Sequence, residues 1–258
     1  MFIVSNPKLV IAQCTSGIVG SFPALNARPK SQLDEWLHEI TEGLATWNRD
    51  HPERPAAPFA VNQIVHRSND RFEHDMQVCA KWKVPIVVTS LGARVELNEA
   101  VHSWGGITLH DVIDDRFARK AIEKGADGII AVAAGADLAY VGSPFIATEE
   151  ANAPDAYKQA IVESGAADII YTEKFTGVHG NYLRSSIVGA GLDPDNLAGV
   201  DPTAMKFGSE GSAKTKAWRD IWGSGQGIGI VDRIRPAGEF IDLLAEQYEA
   251  ARARLCAN

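Results

Sequence analysis

Between Phe2 and Ala133 a short apolar run is followed by a helical pattern again and again, and this alternation leaves very few folds open. Phe2-Ile3-Val4 precedes residues 7–14, where Asn6 is placed to cap the helix and Pro7 takes its first position. Residues 18–22 precede residues 31–44. There Leu33, Trp36, Leu37, Ile40 and Leu44 share one stripe, and Ser31 with Asp34 resembles a capping box. Residues 59–65 precede 69–83, residues 85–90 precede 95–104, residues 107–113 precede 115–124, and residues 127–133 open the next unit. The strands are near-continuous apolar runs, the pattern of parallel strands covered on both faces. Such units build either a doubly wound sheet or a closed barrel.

Two features favour the barrel. No G-x-G-x-x-G opens a helix after the first strand, and polar residues recur at the predicted C-terminal strand ends: Asn62, Ser90, His110 and Ser143. A barrel gathers its active site on that ring of loops. The expected fold is therefore α/β, a (β/α)8 TIM barrel over residues 1–165. Residues 166–258 are expected to form a partly irregular, helical C-terminal appendage, a lid packed on the barrel and closed by a helix at 238–255. The rhythm breaks once. Residues 131–136 run straight into 137–142, strand signal against strand signal. Consecutive parallel strands need a crossover of roughly ten residues or more. A segment is therefore expected to be missing between Ala136 and Asp137, and Met1 falls inside what should be the exit of the first strand.

The formal net charge of −8 argues against nucleic acid or an anionic membrane as partner, since both need a basic face. No apolar run is long enough to span a bilayer. The opening Met-Phe-Ile-Val-Ser-Asn lacks the basic start and small-residue cleavage site of a signal peptide. Cys14, Cys79 and Cys256 show no ligand spacing and suit a reducing cytosol, with Cys79 in the core. The expectation is a cytoplasmic protein without a metal, acting on a small molecule, with a homodimer left open.

The chemistry concentrates where residues 137–143, read as a strand, end in Gly142-Ser143-Pro144. Late loops of phosphate-binding barrels offer backbone N–H groups to a phosphate. Gly142 allows close approach and Ser143 adds a hydroxyl, although Gly-Ser-Pro also suits a plain turn. His110 is the one histidine at a predicted strand exit: it is the candidate base, and it also suits a hydrogen-bonded mouth histidine that orients substrate or flavin. His179 stands in the loop Phe175-Thr-Gly-Val-His-Gly-Asn-Tyr-Leu183, able to overhang the mouth and touch substrate, although a solvated loop histidine fits the same place. Glu149-Glu150 is placed to favour the N-terminus of the helix that follows it.

Gly142-Ser-Pro-Phe-Ile-Ala-Thr-Glu-Glu150 with Ala156-Tyr-Lys-Gln-Ala160 resembles the corresponding stretch of the nitronate monooxygenases, formerly 2-nitropropane dioxygenases. The resemblance extends to Met1-Phe-Ile-Val-Ser-Asn6, residues 59–63, residues 125–136 and Ile221-Trp-Gly-Ser-Gly-Gln-Gly-Ile-Gly229. It implies an FMN-dependent barrel that oxidises alkyl nitronates with O2. It also implies cofactor-binding positions: Met1 beside the flavin ring, Asn62 and Ser90 near it, Gly142 and Ser143 on the phosphate, and Gln226 near the pocket. His110 takes an equivalent strand exit. The family strand matching residues 125–136 continues as Gly-Gly-His-Ala-Gly, whose histidine is the family's proposed base. Here Ala136 is followed by Asp137, without that histidine and without the second phosphate loop. Two other functions stay open: a flavin-dependent enoyl-thioester reductase of the enoyl-acyl-carrier-protein type on the same scaffold, and a non-catalytic barrel binding a phosphorylated ligand.

Overall fold

The computed structural model describes residues 1–131, 137–175, 179–197 and 221–256. Five strands lie side by side in chain order, each parallel to its neighbour: β1 (Gly20–Pro23), β2 (Phe59–Ile64), β3 (Ile86–Ser90), β4 (Ile107–Asp111) and β5 (Gly128–Ile130). Helix α1 (Pro7–Thr15) precedes them. The crossovers are α2 (Gln32–Asp50), α3 (Phe72–Lys81), α4 (Val95–Ser103) and α5 (Asp115–Glu123). Parallel neighbours cannot be joined by a tight hairpin, so the repeated strand-helix pattern imposes this order.

The register decides which side chains face the helices. Val61 pairs with Val87, and Val87 with Thr108. Paired residues of adjacent strands project to one side, and successive residues alternate. Phe59, Val61 and Val87 pack with Cys79 of α3 and with Leu97 and Val101 of α4. The opposite, inward face carries Ala60, Ile86 and Val88, flanked by Leu109 and Ile130.

Local chemistry explains the helix starts. The Asn6 side chain accepts from the Leu9 N–H at 2.9 Å, as its position implied. Ser31 does not cap α2: it is already helical at φ −61° and its hydroxyl makes no capping bond. Asp34 does not complete a capping box either. It accepts from Lys81 Nζ and Trp82 Nε1, both at 2.7 Å, and so ties α2 to the end of α3.

Residues 2–4, expected as a strand, form a turn. Ile3 holds φ at 67°, its N–H donates to Asn26 Oδ1 at 2.8 Å, and Asn26 Nδ2 donates to the carbonyls of Met1 and Ser5 at 2.9 Å each. A backbone whose groups are taken by one side chain has none left for a sheet ladder. Asn26 sits in the turn after β1, and a buried ion pair fixes that turn. Arg71 donates to Asp75 (Nε, 2.8 Å) and to the carbonyls of Ala27 (2.7 Å) and Ala24 (3.2 Å).

Residues 137–142 are irregular rather than the expected strand, and they run into a short 3-10 turn, Ser143–Ala147. No described strand lies beside them to pair with, and Leu138 is 87% exposed. The Tyr140 hydroxyl lies 3.5 Å from Ser21 Oγ on β1. Ser21 pairs with Ala60, so the segment crosses the inward face. The expected gap between Ala136 and Asp137 falls at a junction outside the described residues.

After α6 (Asp155–Glu163) the chain is more regular than its composition suggests. β6 (Ile169–Thr172) and β7 (Gly180–Leu183) pair antiparallel, and α7 (Arg184–Gly189) follows at once. The last helix, α8 (Ala237–Cys256), closes the chain. Its Phe240 and Ile241 share a core with Val4, Leu9, Phe145, Ile161, Leu183 and Ile228. Glu150 serves α8 and not α6: its carboxylate accepts from the Ala237 N–H at 2.9 Å.

Candidate active site

Three polar side chains meet at the C-terminal ends of β2, β3 and β4. Asn62 Nδ2 donates to Ser90 Oγ at 2.9 Å, and Ser90 Oγ donates to Asp111 Oδ2 at 3.4 Å. They stand two residues beyond Ala60, Val88 and Leu109 respectively, so alternation puts them on the same inward face. Asn62 and Ser90 were expected at these exits; Asp111 was not. Burial pushes the Asp111 carboxyl above its ordinary value, and the Ser90 hydrogen bond partly offsets the rise.

His110 occupies the other face. It pairs with Thr89, and its Nδ1 shares a short hydrogen bond with the Thr89 hydroxyl. Thr89 follows the alternation of Val87, which packs against the helices. The residue is 4% exposed, and burial, then the charge of Lys124, lowers its pKa. The strand backbone therefore lies between His110 and the Asn62-Ser90-Asp111 chain.

The second cluster is built from segments far apart in sequence. The Gly225 N–H donates to Ser143 Oγ at 2.8 Å. A Cβ on Gly225 would lie 3.4 Å from that oxygen, and one on Gly142 would lie 3.7 Å from Met1 Cγ. Positions 227 and 229 face open space, where an added Cβ would meet nothing. Met1, Gly142, Ser143 and Gly225 are thus brought together. Gln226 Nε2 donates to Asn181 Oδ1 at 3.4 Å, and the Ser224 N–H donates to the Asn181 carbonyl at 3.0 Å. Asn181, on β7, thereby anchors the glycine loop. Tyr157 braces it from α6: its hydroxyl donates to the Gly223 carbonyl and its ring stacks on Trp222 at 4.9 Å.

His179 stands just before β7. Its ring stacks on Tyr171 at 4.9 Å, and Nδ1 lies 3.6 Å from Glu173. It is an exposed hairpin residue two positions from Asn181, and among the described residues no contact joins it to the Ser143–Gly225 cluster.

The cradle suits a phosphate. Its donors are neutral: the Ser143 hydroxyl and the backbone of a loop whose glycines leave room for close approach. Gly142, Ser143 and Gln226 could hold such a group, with the Met1 side chain beside it. Among the described residues no three His, Cys, Asp or Glu side chains could share a metal ion, and no helix is long and apolar enough to cross a membrane.

Comparison with known proteins bears on this arrangement. Residues 129–247, which carry the Ser143 turn and the Gly225 loop, match the family described as nitronate monooxygenase. Rv1533 of Mycobacterium tuberculosis, whose name classes it as a candidate monooxygenase, is 24% identical over 226 residues and 82% of this chain. The chain spans about half the length of that relative, 54%. Among solved structures, nitroalkane oxidase from Streptomyces ansochromogenes superposes with a TM-score of 0.73 at 18% identity, covering 97% of this chain and 94% of that one. FabK from Thermotoga maritima does so with a TM-score of 0.70 at 18% identity, covering 100% and 93%. The fold class is accordingly that of the (β/α)8 barrels, of which the five described parallel strands form an open arc. The segment that carries the Ser143 turn and the Gly225 loop is thus similar to the nitronate monooxygenase family, and the whole chain shares its fold with the two solved structures.

Proposed function

We propose that the chain is an FMN-dependent oxidoreductase that oxidises alkyl nitronates, or similarly stabilised carbanions, with O2. The observation that carries this reading is the cradle in which Gly142, Ser143 and the Gly225 loop converge. FMN, once bound, would supply the electron-accepting ring. The residues do the rest. Ser143 and the glycine backbones bind the phosphate, Gln226 is steadied by Asn181, and Met1 borders the ring. Asn62 and Ser90 line the inward face at the strand exits and can orient a bound nitro group by hydrogen bonding. Residues 166–258 act as a lid over the barrel of residues 1–165 in this reading. His110, held by Thr89 behind β4, supports the strand end that carries Asp111.

The same reading takes a small molecule and O2 as partners and places the protein in the cytoplasm, where the buried free thiols Cys14 and Cys79 stay reduced. The likeness to FabK gives a second reading, reduction of an enoyl thioester with a nicotinamide donor. O2 uptake with a nitronate, set against NAD(P)H oxidation with an enoyl thioester, separates the two. Nitronate-dependent O2 uptake is expected. Thioester-dependent NAD(P)H oxidation alone would replace this reading with the second.

A further inference from the structure

The residues from Ala131 to Asp137 contain no histidine, and His110 lies behind β4. A different group is needed if this site is to handle a proton. We propose that Asp111 is the proton acceptor at the barrel mouth, so that the site takes a neutral nitroalkane bearing an apolar chain and forms the nitronate itself. This deepens, and rests on, the reading of the chain as an oxidase of nitronates.

Three observations converge on Asp111. It is the carboxylate that ends the inward hydrogen-bonded chain Asn62-Ser90-Asp111, so one oxygen is held by Ser90 while the other is left to meet substrate. Beneath it the same face is apolar, with Ile86 and Val88 buried and Leu109 beside them, a floor that fits an alkyl chain and not a second charge. The ionisable groups of the turn between α5 and β5 are committed elsewhere. Asp127 is taken by the Thr108 N–H at 2.7 Å and by His102 at 2.9 Å, and Lys124 donates to the Ala93 carbonyl at 2.6 Å.

Charge then selects the substrate. A carboxylate beside the reacting carbon repels a preformed nitronate anion and accepts a neutral carbon acid. In the step itself the carbon-hydrogen bond next to the nitro group breaks, and its proton forms an O–H bond on Asp111. The electron pair becomes a carbon-nitrogen double bond, and the negative charge moves to the nitro oxygens. No oxidant enters, so the step runs without O2.

That independence supplies the test. On the full chain under nitrogen, exchange of the nitroethane α-protons with D2O is followed by NMR. The wild-type chain should accelerate exchange, and Asp111→Asn should slow it by about 10²-fold or more, the usual scale of general-base catalysis. In air with FMN, Asp111→Asn should lower the ratio of nitroalkane to nitronate kcat/KM by a similar factor and lower the KM for nitronate. If Asp111→Asn does not fold, Asp111→Glu carries the test, because its carboxylate should retain measurable exchange. Exchange by Asp111→Asn at the wild-type rate, an unchanged substrate ratio, or no exchange by folded Asp111→Glu would overturn the proposal. A wild-type chain that oxidises nitronate without exchanging nitroalkane overturns it as well, while leaving the proposed function standing. One that exchanges nitroalkane but never consumes O2 supports Asp111 and sinks the oxidase reading instead.

Discussion

Ser143 Oγ accepts the Gly225 N–H at 2.8 Å, a bond that spans 82 residues and joins the turn after the Tyr140 segment to the glycine loop before α8. It places a hydroxyl and a glycine backbone where one phosphate could use both. Ser143→Ala is expected to weaken FMN binding about tenfold, the scale of one hydrogen bond to a charged group. Flavin fluorescence quenching measures it, and an unchanged Kd would remove Ser143 from the phosphate site.

The turn after β1 depends on a buried ion pair. Arg71 and Asp75 are 2% and 0% exposed, and Arg71 also binds the Ala24 and Ala27 carbonyls of the turn that carries Asn26. Arg71→Ala should cost about 3–5 kcal/mol, because it strands a buried carboxylate and two carbonyls. Urea unfolding reads the loss directly. An Arg71→Met, Asp75→Leu double variant should recover much of it, since a buried pair replaced by apolar groups is often neutral.

What could be read in the sequence, and what could not, follows from the range of the forces involved. β1–β5 and α1–α5 were legible because apolar period and caps such as Asn6 act locally. The distinction between His110 and Asp111 was not legible. The two are adjacent at the end of β4, and which of them faces inward is set by the pairing of Val87 with Thr108, a tertiary fact. Asn181 was missed for a similar reason, because β7 is short and polar and finds its place only against β6 and the Ser224 N–H. Ile3 was misread because a β-branched residue disfavours positive φ, and only Asn26, reaching across from the turn after β1, holds it there.

His110 should leave a mark on the acid limb of stability. Burial and Lys124 lower its folded pKa below the ordinary 6.5, so the native state binds fewer protons than the unfolded chain just below that pH. Stability from this group is complete above pH 6.5 and declines as pH falls from 6.5 toward the folded value. His110→Gln should flatten that portion of a stability-pH curve measured by urea midpoints. A curve of unchanged slope would mean that the imidazole is not held neutral.

Cys79 is fully buried and accepts from Gln63 Nε2, and burial pushes its thiol up to about 12. Cys14 is likewise buried, with its thiol pushed up to about 11. In a Cys256→Ser background, a thiol reagent at neutral pH should label the folded protein only at the rate of unfolding. Rapid labelling of either cysteine would show that the layer between the sheet and its helices opens.

The central claim, a flavin held by its phosphate at Ser143 and the Gly225 loop, is tested most directly by titrating the protein with FMN and with riboflavin side by side. Two charge-assisted hydrogen bonds at roughly 1.5–3 kcal/mol each predict FMN binding at one per chain, tighter than riboflavin by about 10²-fold or more. Equal affinity for the two, or no binding of either, would contradict it.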